Sequence, residues 1–419
     1  MANVTVRLRR EFHTGGYVKP PGSWLTVTEE RAKKLVARGI ADYGPSWYET
    51  KPNHVLMVSQ QCDSRVTKQA MALRQRGWRV DLLGARIPQI PDAFDVIQVL
   101  PAPEWPAAIG SSGAGIVHVH NEPDHLMRVA DEGAAGRPIV YDVHDMEQHR
   151  FGRKTIDQDY AFKRADAIVH TSREYQAFAH KQGYKRDIPE AVVHTATLRG
   201  WQPTLPPLEV RRGVVYEGNS MPHSLGNDRF RNHDKVVEAF NQAGVRFDMF
   251  TNVDAVVAYK GNARHMVPFM AMLERLPHYQ WGFLGCDVAT EKWDVVVPNK
   301  LFEYLLCGLP ILACNAPAVE RYMEGKAGIY ANTMGELIGR IKDRKLDWEA
   351  LVEEALASRV YMDDEVDGLI ALYVAVTGGF PCELCEPKRL FKSDFALRGH
   401  VRQVHTGEWE AWKAAHEAH

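Results

Sequence analysis

Short apolar runs alternate with amphipathic segments along most of the chain, and this alternation predicts an α/β fold. The runs have the length and the apolar character that are typical of strands buried in a parallel sheet. They lie at residues 54–58, 79–84, 115–121, 139–145, 165–172, 214–219, 279–285 and 311–314. Three prolines interrupt the pattern between Gly200 and Gly213. We therefore predict two Rossmann-like domains, at residues 53–200 and 213–375, joined by a linker at 201–212.

The stretch at residues 298–312 carries the clearest chemical pattern. An apolar run at 294–297 predicts a strand before it, and Asn299 is an N-cap candidate for the helix that follows. Lys300 and Glu303 would project from the first helical turn, where backbone N–H groups lack partners and attract an anion. The Glu303 carboxylate could then accept hydrogen bonds from both hydroxyls of a ribose, while Lys300 attracts a diphosphate. The alternative is an ordinary surface helix on which Glu303 is solvated.

The complete string favours nucleotide binding. Pro-x-Lys-x-x-Glu-Tyr, from Pro298 to Tyr304, is followed by Gly-x-Pro-Ile and resembles the donor-site signature of retaining GT-B glycosyltransferases. That group includes glycogen and sucrose synthases, and the resemblance extends over about residues 53–375. It implies two facing Rossmann-like domains and transfer of a sugar from a nucleotide diphosphate, with a UDP-sugar as donor and Glu303 on its ribose. It also implies that no protein nucleophile and no catalytic metal are needed.

The same resemblance marks positions that would bind the donor diphosphate. The strand at 214–219 reaches Gly218, where the group has a Gly-Arg turn, but Asn219 stands here in place of the arginine. The group also opens the next helix with a lysine. Arg231 lies closest to that position, with Arg229 and Lys235 as alternatives.

Two positions before the signature complete the donor-site prediction. Gly282 would allow close approach of the backbone to the donor. The group's first acidic residue, eight positions before Glu303, falls on Val295, so its two-glutamate motif is half present. The predicted donor-binding residues are Glu303, Lys300, Asn299, Arg231, Lys235, Gly218 and Gly282.

Polar side chains also follow the predicted strands of the first domain. Asp63 and Arg65 open a helix after the first strand, a form that the acceptor domain of the resembled group often takes. His118 and His120 are two residues apart, hence on one side of a strand, but a zinc site would need a third ligand that the sequence does not place. The resemblance puts the second histidine near the donor sugar. The catalytic candidates are His120, Asp63 and Arg65, with His144 and Asp145 as additional candidates.

The composition indicates a soluble globular chain without a global charge signal for nucleic acid. The 419 residues are 45% hydrophobic and 25% charged, with a formal net charge of -2. We find no apolar run of about 18 residues and no secretory leader, so we expect no membrane span and a cytoplasmic location, in a host cell if a phage encodes the protein. Four cysteines in apolar or turn contexts are expected to be buried thiols. They are Cys62, Cys286, Cys307 and Cys314.

Residues 1–48 are predicted to form a small strand-strand-helix module of α+β type. Strands are predicted at 4–8 and 24–27, and a helix is predicted to begin after Thr28. The pattern resembles short modules of bacteriophage proteins. Its modest excess of positive charge is consistent with a solvated surface or with nucleic-acid contact.

The carboxyl-terminal stretch at 379–407 resembles a Cys-Cys-His-His zinc finger. Cys382 and Cys385 are followed by His400 and His405, and these thiolates and imidazoles would form a closed tetrahedral zinc site. Its helix offers few base-reading side chains. Non-specific contact with phosphates, docking to a protein and structural capping therefore stay open.

Taken together, the sequence predicts a nucleotide-sugar-dependent hexosyltransferase with a structural zinc. The phage-like module and the finger suggest, as acceptor, a hydroxymethylated or otherwise modified base in phage DNA, with DNA as a partner. One alternative is a transferase that acts on a glycan, a protein or a small molecule and docks through the finger. A second alternative is a non-catalytic nucleic-acid-binding protein.

Overall fold

The computed structural model describes residues 51–224 and 230–377, together with the backbones of seven short strands nearer the two ends of the chain. Five of these strands precede residue 50: β1 (Asn3–Leu8), β2 (Phe12–Thr14), β3 (Tyr17–Lys19), β4 (Trp24–Thr28) and β5 (Ala41–Tyr43). β1 pairs antiparallel with both β4 and β5. The helix predicted after Thr28 lies outside the described residues, so the amino-terminal module stays a prediction.

The chain divides into two compact units. The first comprises residues 1–169, 186–191 and 368–419, and the second comprises 170–185 and 192–367. The predicted linker at 201–212 contains two short 3-10 turns, Arg199–Trp201 and Leu208–Val210. The division differs from the predicted boundaries because residues 170–185 and 192–200 group with the second unit and residues 368–375 with the first.

A seven-stranded sheet lies at the centre of the first unit, in the order β12-β11-β10-β9-β6-β7-β8. The β6–β7, β7–β8, β6–β9 and β9–β10 pairs are parallel. The strands are β6 (Lys51–Ser59), β7 (Arg79–Gly84), β8 (Val96–Val99), β9 (Ala114–His120), β10 (Ile139–Val143), β11 (Ala167–His170) and β12 (Glu190–Val192). The helices of this unit are α1 (Ser64–Gln75), α2 (Trp105–Ser111), α3 (Leu126–Ala134), α4 (Glu147–Phe151) and α5 (Ile156–Arg164). Helix α6 (Arg173–Ala179) follows β11 and groups with the second unit.

Helix α1 shows why these segments fold as predicted. The Asp63 carboxylate caps it by accepting from the backbone N–H groups of Arg65 and Val66, at 2.9 and 3.2 Å. Val66, Ala70 and Leu73 form its apolar face, and all three are fully buried. The predicted helix after the first strand is therefore confirmed.

A six-stranded parallel sheet lies at the centre of the second unit, in the order β15-β14-β13-β16-β17-β18. Its strands are β13 (Val214–Glu217), β14 (Phe247–Thr251), β15 (Ala263–His265), β16 (Trp281–Gly285), β17 (Ile311–Cys314) and β18 (Gly328–Ala331). The helices are α7 (Asp234–Gln242), α8 (Val253–Ala258), α9 (Phe269–Arg275), α10 (Asn299–Leu306), α11 (Pro317–Tyr322), α12 (Met334–Ile341), α13 (Trp348–Ala357) and α14 (Met362–Thr377). Phe240, Phe247 and Phe283 pack in its core.

The two sheets share one topological feature that positions ligand sites. β6 lies between β7 and β9, and β13 lies between β14 and β16, so the strand order reverses at β6/β9 and at β13/β16. Open parallel sheets bind ligands at the carboxyl ends of strands next to such a reversal. The two sheets confirm the predicted α/β class, and their reversal points identify where each unit's site should be sought.

Two local predictions around residue 298 were wrong. Residues 294–297 form no strand, because the backbone N–H groups of Val295 and Val296 turn back to the Lys292 carbonyl. Four residues ending at a proline are too few to override that turn, and the strand before the helix is β16. Asn299 is the first residue of α10 rather than its cap, since Pro298 occupies the N-cap position.

A two-stranded antiparallel hairpin follows α14. It consists of β19 (Phe380–Cys382) and β20 (Arg389–Phe391), with Cys382 opposite Arg389. Cys385, His400 and His405 lie outside the described residues, so the zinc finger stays a prediction. Within residues 51–224 and 230–377, no helix is long and apolar enough to cross a bilayer.

Candidate active site

In the first unit, the strand ends beside the reversal point bring together a network of histidines and carboxylates. His118 and His120 lie on one side of β9, as the two-residue spacing predicts, and their rings stack with centroids 4.3 Å apart. His144 follows β10, and its ring meets that of His120 edge-on. Two separate segments thus converge on the carboxyl edge of the sheet.

Asp142, in β10, is the anchor of this network. Arg65 is 1% exposed, and its Nε lies 3.0 and 3.1 Å from the two Asp142 carboxylate oxygens. The Gln69 amide, one turn further along α1, donates to Asp142 Oδ2 at 2.8 Å. Arg65 was predicted as a catalytic residue, but the structure buries it as the partner of Asp142. We propose that it positions Asp142, and its catalytic role stays a prediction.

Asp63, His144 and His120 form a hydrogen-bonded chain. Asp63 Oδ2 lies 3.1 Å from His144 Nδ1, and His144 Nε2 lies 3.0 Å from His120 Nδ1. Among the described residues, the buried Nε2 atom of His120 has no hydrogen-bond partner. The chain therefore ends at a fully enclosed ring nitrogen, which a ligand would reach only if the surrounding side chains moved.

Electrostatics set the protonation of this chain. Burial alone would raise the pKa of Asp63, but the charge and hydrogen bond of His144 lower that pKa well below its ordinary value. Burial alone would lower the pKa of His144, but Asp63 and Asp142 raise it above 6.5. Burial and His118 hold the pKa of His120 well below 6.5. A charged His144 that donates to both neighbours leaves His120 neutral with its proton on Nε2, so that atom is a hydrogen-bond donor.

The positions of these side chains also test whether His118 and His120 could bind a metal ion. His118, His120 and Asp142 place one ligand atom each within 4.8 Å of one another, which supplies the third ligand that the sequence did not place. However, Asp142 already neutralises the buried Arg65 guanidinium and accepts from Gln69. A cation added here would face that guanidinium at short range, so the donor set fits a hydrogen-bonded network better than a metal.

In the second unit, α10 begins at the reversal point between β13 and β16. Among the described side chains, none caps its first turn. Lys300, in that turn, is half-buried and its Nζ lies 4.4 Å from the centre of the Tyr216 ring. Burial lowers the pKa of Lys300 to about 8, the carboxylates of Glu217 and Glu303 oppose this shift, and Arg231 adds to it. An anion at this turn would meet backbone N–H groups and a nearby ammonium group.

Gly218 follows β13 and faces the same lysine. Its φ is 125°, and a Cβ placed there would lie 2.7 Å from Lys300 Nζ. A residue with a side chain would therefore be strained and would displace the ammonium group. Asn219, the next residue, contributes its backbone carbonyl, which accepts from the Tyr216 hydroxyl at 2.9 Å.

The two predicted cations before α7 differ in position. Arg231 lies near enough to Lys300 to lower its pKa, and its backbone carbonyl accepts from Ser220 Oγ at 3.0 Å. Lys235 is exposed, and its Nζ lies 3.5 Å from Asp287 Oδ2. Of the two residues, Arg231 is the one that shares the electrostatic environment of Lys300. Arg229 lies outside the described residues.

Gly282 is explained by packing within the unit. A Cβ at this position would lie 2.2 Å from Cδ2 of Tyr304, whose ring is fully buried. The Tyr304 hydroxyl in turn accepts from the backbone N–H of Glu217, at 3.1 Å. The close approach that Gly282 permits in this structure is that of Tyr304, which ties α10 to the end of β13.

Several residues of the two networks were not selected from the sequence. Asp142, Gln69, Glu217, Tyr216 and His233 became visible through three-dimensional contacts. Asp142 could have been selected because it is a charged residue within an apolar run. Gln69 could have been selected because it is four residues after Arg65, on the same face of the helix. Glu303 lies near the start of α10, as its place in the signature predicts, and it is buried rather than solvated. The predicted buried cysteines are confirmed as free, buried thiols.

Comparison with solved structures identifies the fold as that of GT-B glycosyltransferases. The chain is similar to HepE of Anabaena, solved in complex with UDP-glucose, with 13% identity, a TM-score of 0.57 and coverage of 78% of this chain and 98% of that one. It is also similar to sucrose-phosphate synthase of Thermosynechococcus elongatus, with 11% identity, a TM-score of 0.55 and coverage of 77% and 96%. No protein-family model matches the chain, and no curated protein matches its sequence. At these identities the comparisons establish the fold, and the function rests on the sites.

Proposed function

We propose that the protein is a glycosyltransferase that takes a sugar from a nucleotide diphosphate, with a UDP-sugar as donor. The second unit would bind the donor through Lys300, Arg231 and the first turn of α10, with Glu303 on the ribose. The observation that carries this proposal is the placement of Lys300 and Glu303 at the sheet's reversal point. The GT-B fold and the UDP-glucose complex of a similar structure support it.

The proposal assigns each part of the donor to a chemical partner. The diphosphate is the most strongly charged group, so it would sit where Lys300, Arg231 and helix N–H groups converge. Glu303 is an acceptor, which matches the two hydroxyl donors of a ribose. In the first unit, His120 Nε2 would donate to a ligand oxygen. Transfer with retention, as the sequence resemblance implies, would need no protein nucleophile.

Calorimetric titration with UDP-glucose and with UDP tests donor binding. We expect Glu303→Ala to weaken binding by about tenfold to a hundredfold, because it removes a charge-assisted contact to the ribose. Glu353→Ala, at an exposed position of α13, is the matched control and should bind as the wild type does. Unchanged binding in Glu303→Ala would refute this role. The anomeric configuration of the product, measured by NMR, tests retention.

We further propose that the acceptor is a modified base in DNA and that the carboxyl-terminal stretch binds one structural zinc. The finger-like spacing of Cys382, Cys385, His400 and His405 supports the second point. Elemental analysis should find about one zinc per chain in the wild type and none after Cys382→Ser.

Radiolabelled UDP-glucose, offered with hydroxymethylated and unmodified DNA, tests the proposed DNA acceptor. Label on a glycan, a protein or a small molecule and on neither DNA would establish the first alternative.

A further inference from the structure

A basic and aromatic loop lies beside the histidine network of the first unit. It runs from the end of α4 to the start of α5 and contains Arg150, Phe151, Arg153, Lys154 and Ile156. No acidic residue occurs between Gln148 and Ile156. We call residues 149–156 the basic loop.

The two large apolar side chains of the basic loop are exposed. Phe151 is 58% exposed and Ile156 is 81% exposed. Removing a large apolar side chain from water lowers the free energy. An aromatic ring that stays exposed among cations therefore favours a partner that covers it. The Arg150 guanidinium lies 5.5 Å from the centre of the Phe151 ring. The loop thus exposes the Arg150 cation next to the aromatic ring of Phe151.

Buried hydrogen bonds hold the base of the loop in place. Glu147 is buried and accepts from the backbone N–H of Asp124, at 3.2 Å, and from the Thr155 hydroxyl. Gln148 and Gln158 exchange two hydrogen bonds, at 2.9 and 3.0 Å, across the loop. Both ends of the loop are therefore fixed, and its exposed side chains are presented from an ordered base.

The position of the loop connects it to the candidate site. Arg150 lies near enough to Glu122 and Asp124 to lower the pKa of each, against the larger effect of burial, which raises both. Glu122 in turn interacts with His144 and Asp63 of the hydrogen-bonded chain. A polymer held along the loop would pass beside the carboxyl edge of the sheet.

We propose that the basic loop binds a nucleic acid strand, with Arg150, Arg153 and Lys154 on phosphates and Phe151 stacked on a base. Cations interleaved with an aromatic ring are the arrangement that single strands and extruded nucleotides require. An anionic membrane would instead need a longer amphipathic helix, whereas α4 has five residues. The proposal rests on the proposed function in naming the acceptor class, but the binding itself needs no donor.

Fluorescence anisotropy with a labelled single strand and a labelled duplex tests the loop in the full chain. The triple variant Arg150→Ala, Arg153→Ala, Lys154→Ala should bind the single strand more than tenfold more weakly at low salt. The slope of log affinity against log salt concentration should become shallower by about 2, because each lost phosphate contact contributes about 0.7 to that slope. Phe151→Ala should weaken binding several-fold while the salt dependence stays the same.

The matched control is Lys342→Ala, Arg344→Ala, Lys345→Ala, which removes three exposed cations from the second unit. It should bind within twofold of the wild type. Equal losses in the two triple variants, or no binding by the wild type, would overturn the proposal. Binding to vesicles with anionic lipid that depends on the loop, without binding to DNA, would overturn it in favour of a membrane. UDP-glucose binding measured on the same samples separates this result from a failure of the donor site.

Discussion

The two units use similar residues in opposite ways. In the first unit, Arg65 is buried and its charge is satisfied by Asp142, within a network of bonds among protein groups. In the second unit, Lys300 is half-buried, and Arg231 lies nearby with the same charge. A buried cation bonded to a carboxylate is part of the structure. A half-buried lysine beside a second cation and the first turn of a helix favours an anion, although the Glu217 and Glu303 carboxylates also lie nearby. We therefore propose a stabilising role for the buried cation of the first unit and a ligand-binding role for the half-buried cation of the second.

The largest effect that would test this comparison is on stability. We expect Arg65→Met to lower the free energy of unfolding by about 3–5 kcal/mol, because it leaves the buried Asp142 charge without its main partner. Lys300→Met should change it by less than about 1 kcal/mol, since it removes a cation that burial already disfavours. Urea unfolding of both variants measures the difference. Similar losses in the two variants would erase the distinction between the units.

A second test concerns packing under the donor site. Gly282→Ala should cost about 1–3 kcal/mol, because its methyl group would overlap the buried Tyr304 ring. Gly335→Ala is the control, since a Cβ there meets no atom within 4 Å and alanine favours the helix. Thermal and urea unfolding should separate the two variants. A Gly282→Ala protein of wild-type stability would show that Tyr304 is not held as described.

The pH dependence of donor binding tests the role of Lys300. Its pKa of about 8 means that the side chain is charged at pH 7 and largely neutral at pH 9.5. We expect the affinity for UDP to fall about tenfold over that range, since the neutral amine no longer attracts the diphosphate. Lys300→Arg should bind UDP without this decline because arginine stays charged. A wild-type affinity that is constant over this range would contradict the assignment.

The smallest expected effect concerns the protonation of the histidine chain. The pKa of His144 is raised in the folded protein, so its contribution to stability is complete below about pH 6.5 and is lost as pH rises through the folded pKa. Asp63→Asn should reduce this contribution by about 1 kcal/mol. Histidine ¹⁵N chemical shifts should show His120 neutral and protonated on Nε2. Protonation of His120 on Nδ1 at pH 6 would refute the proposed direction of the chain.

The sequence determined the α/β class, most strands and α1, because apolar periodicity and capping are local properties that the chain displays residue by residue. The sequence also indicated candidate site residues. Lys300 and Glu303 belong to the signature, and His120 and Asp63 lie at or after the ends of predicted strands. The short run at 294–297 misled the prediction because β-branched residues alone do not overcome a turn that ends at a proline.

The tertiary structure decided which charges meet. Arg65 and Asp142 are 77 positions apart, and their pairing arises because the start of α1 and the end of β10 meet at one edge of the sheet. In the same way, Gly282 faces Tyr304, and Arg231 rather than Lys235 shares the surroundings of Lys300. Pairings between distant segments depend on strand order and register, which periodicity does not encode. Local pattern therefore supplied the candidates, and long-range packing assigned their roles.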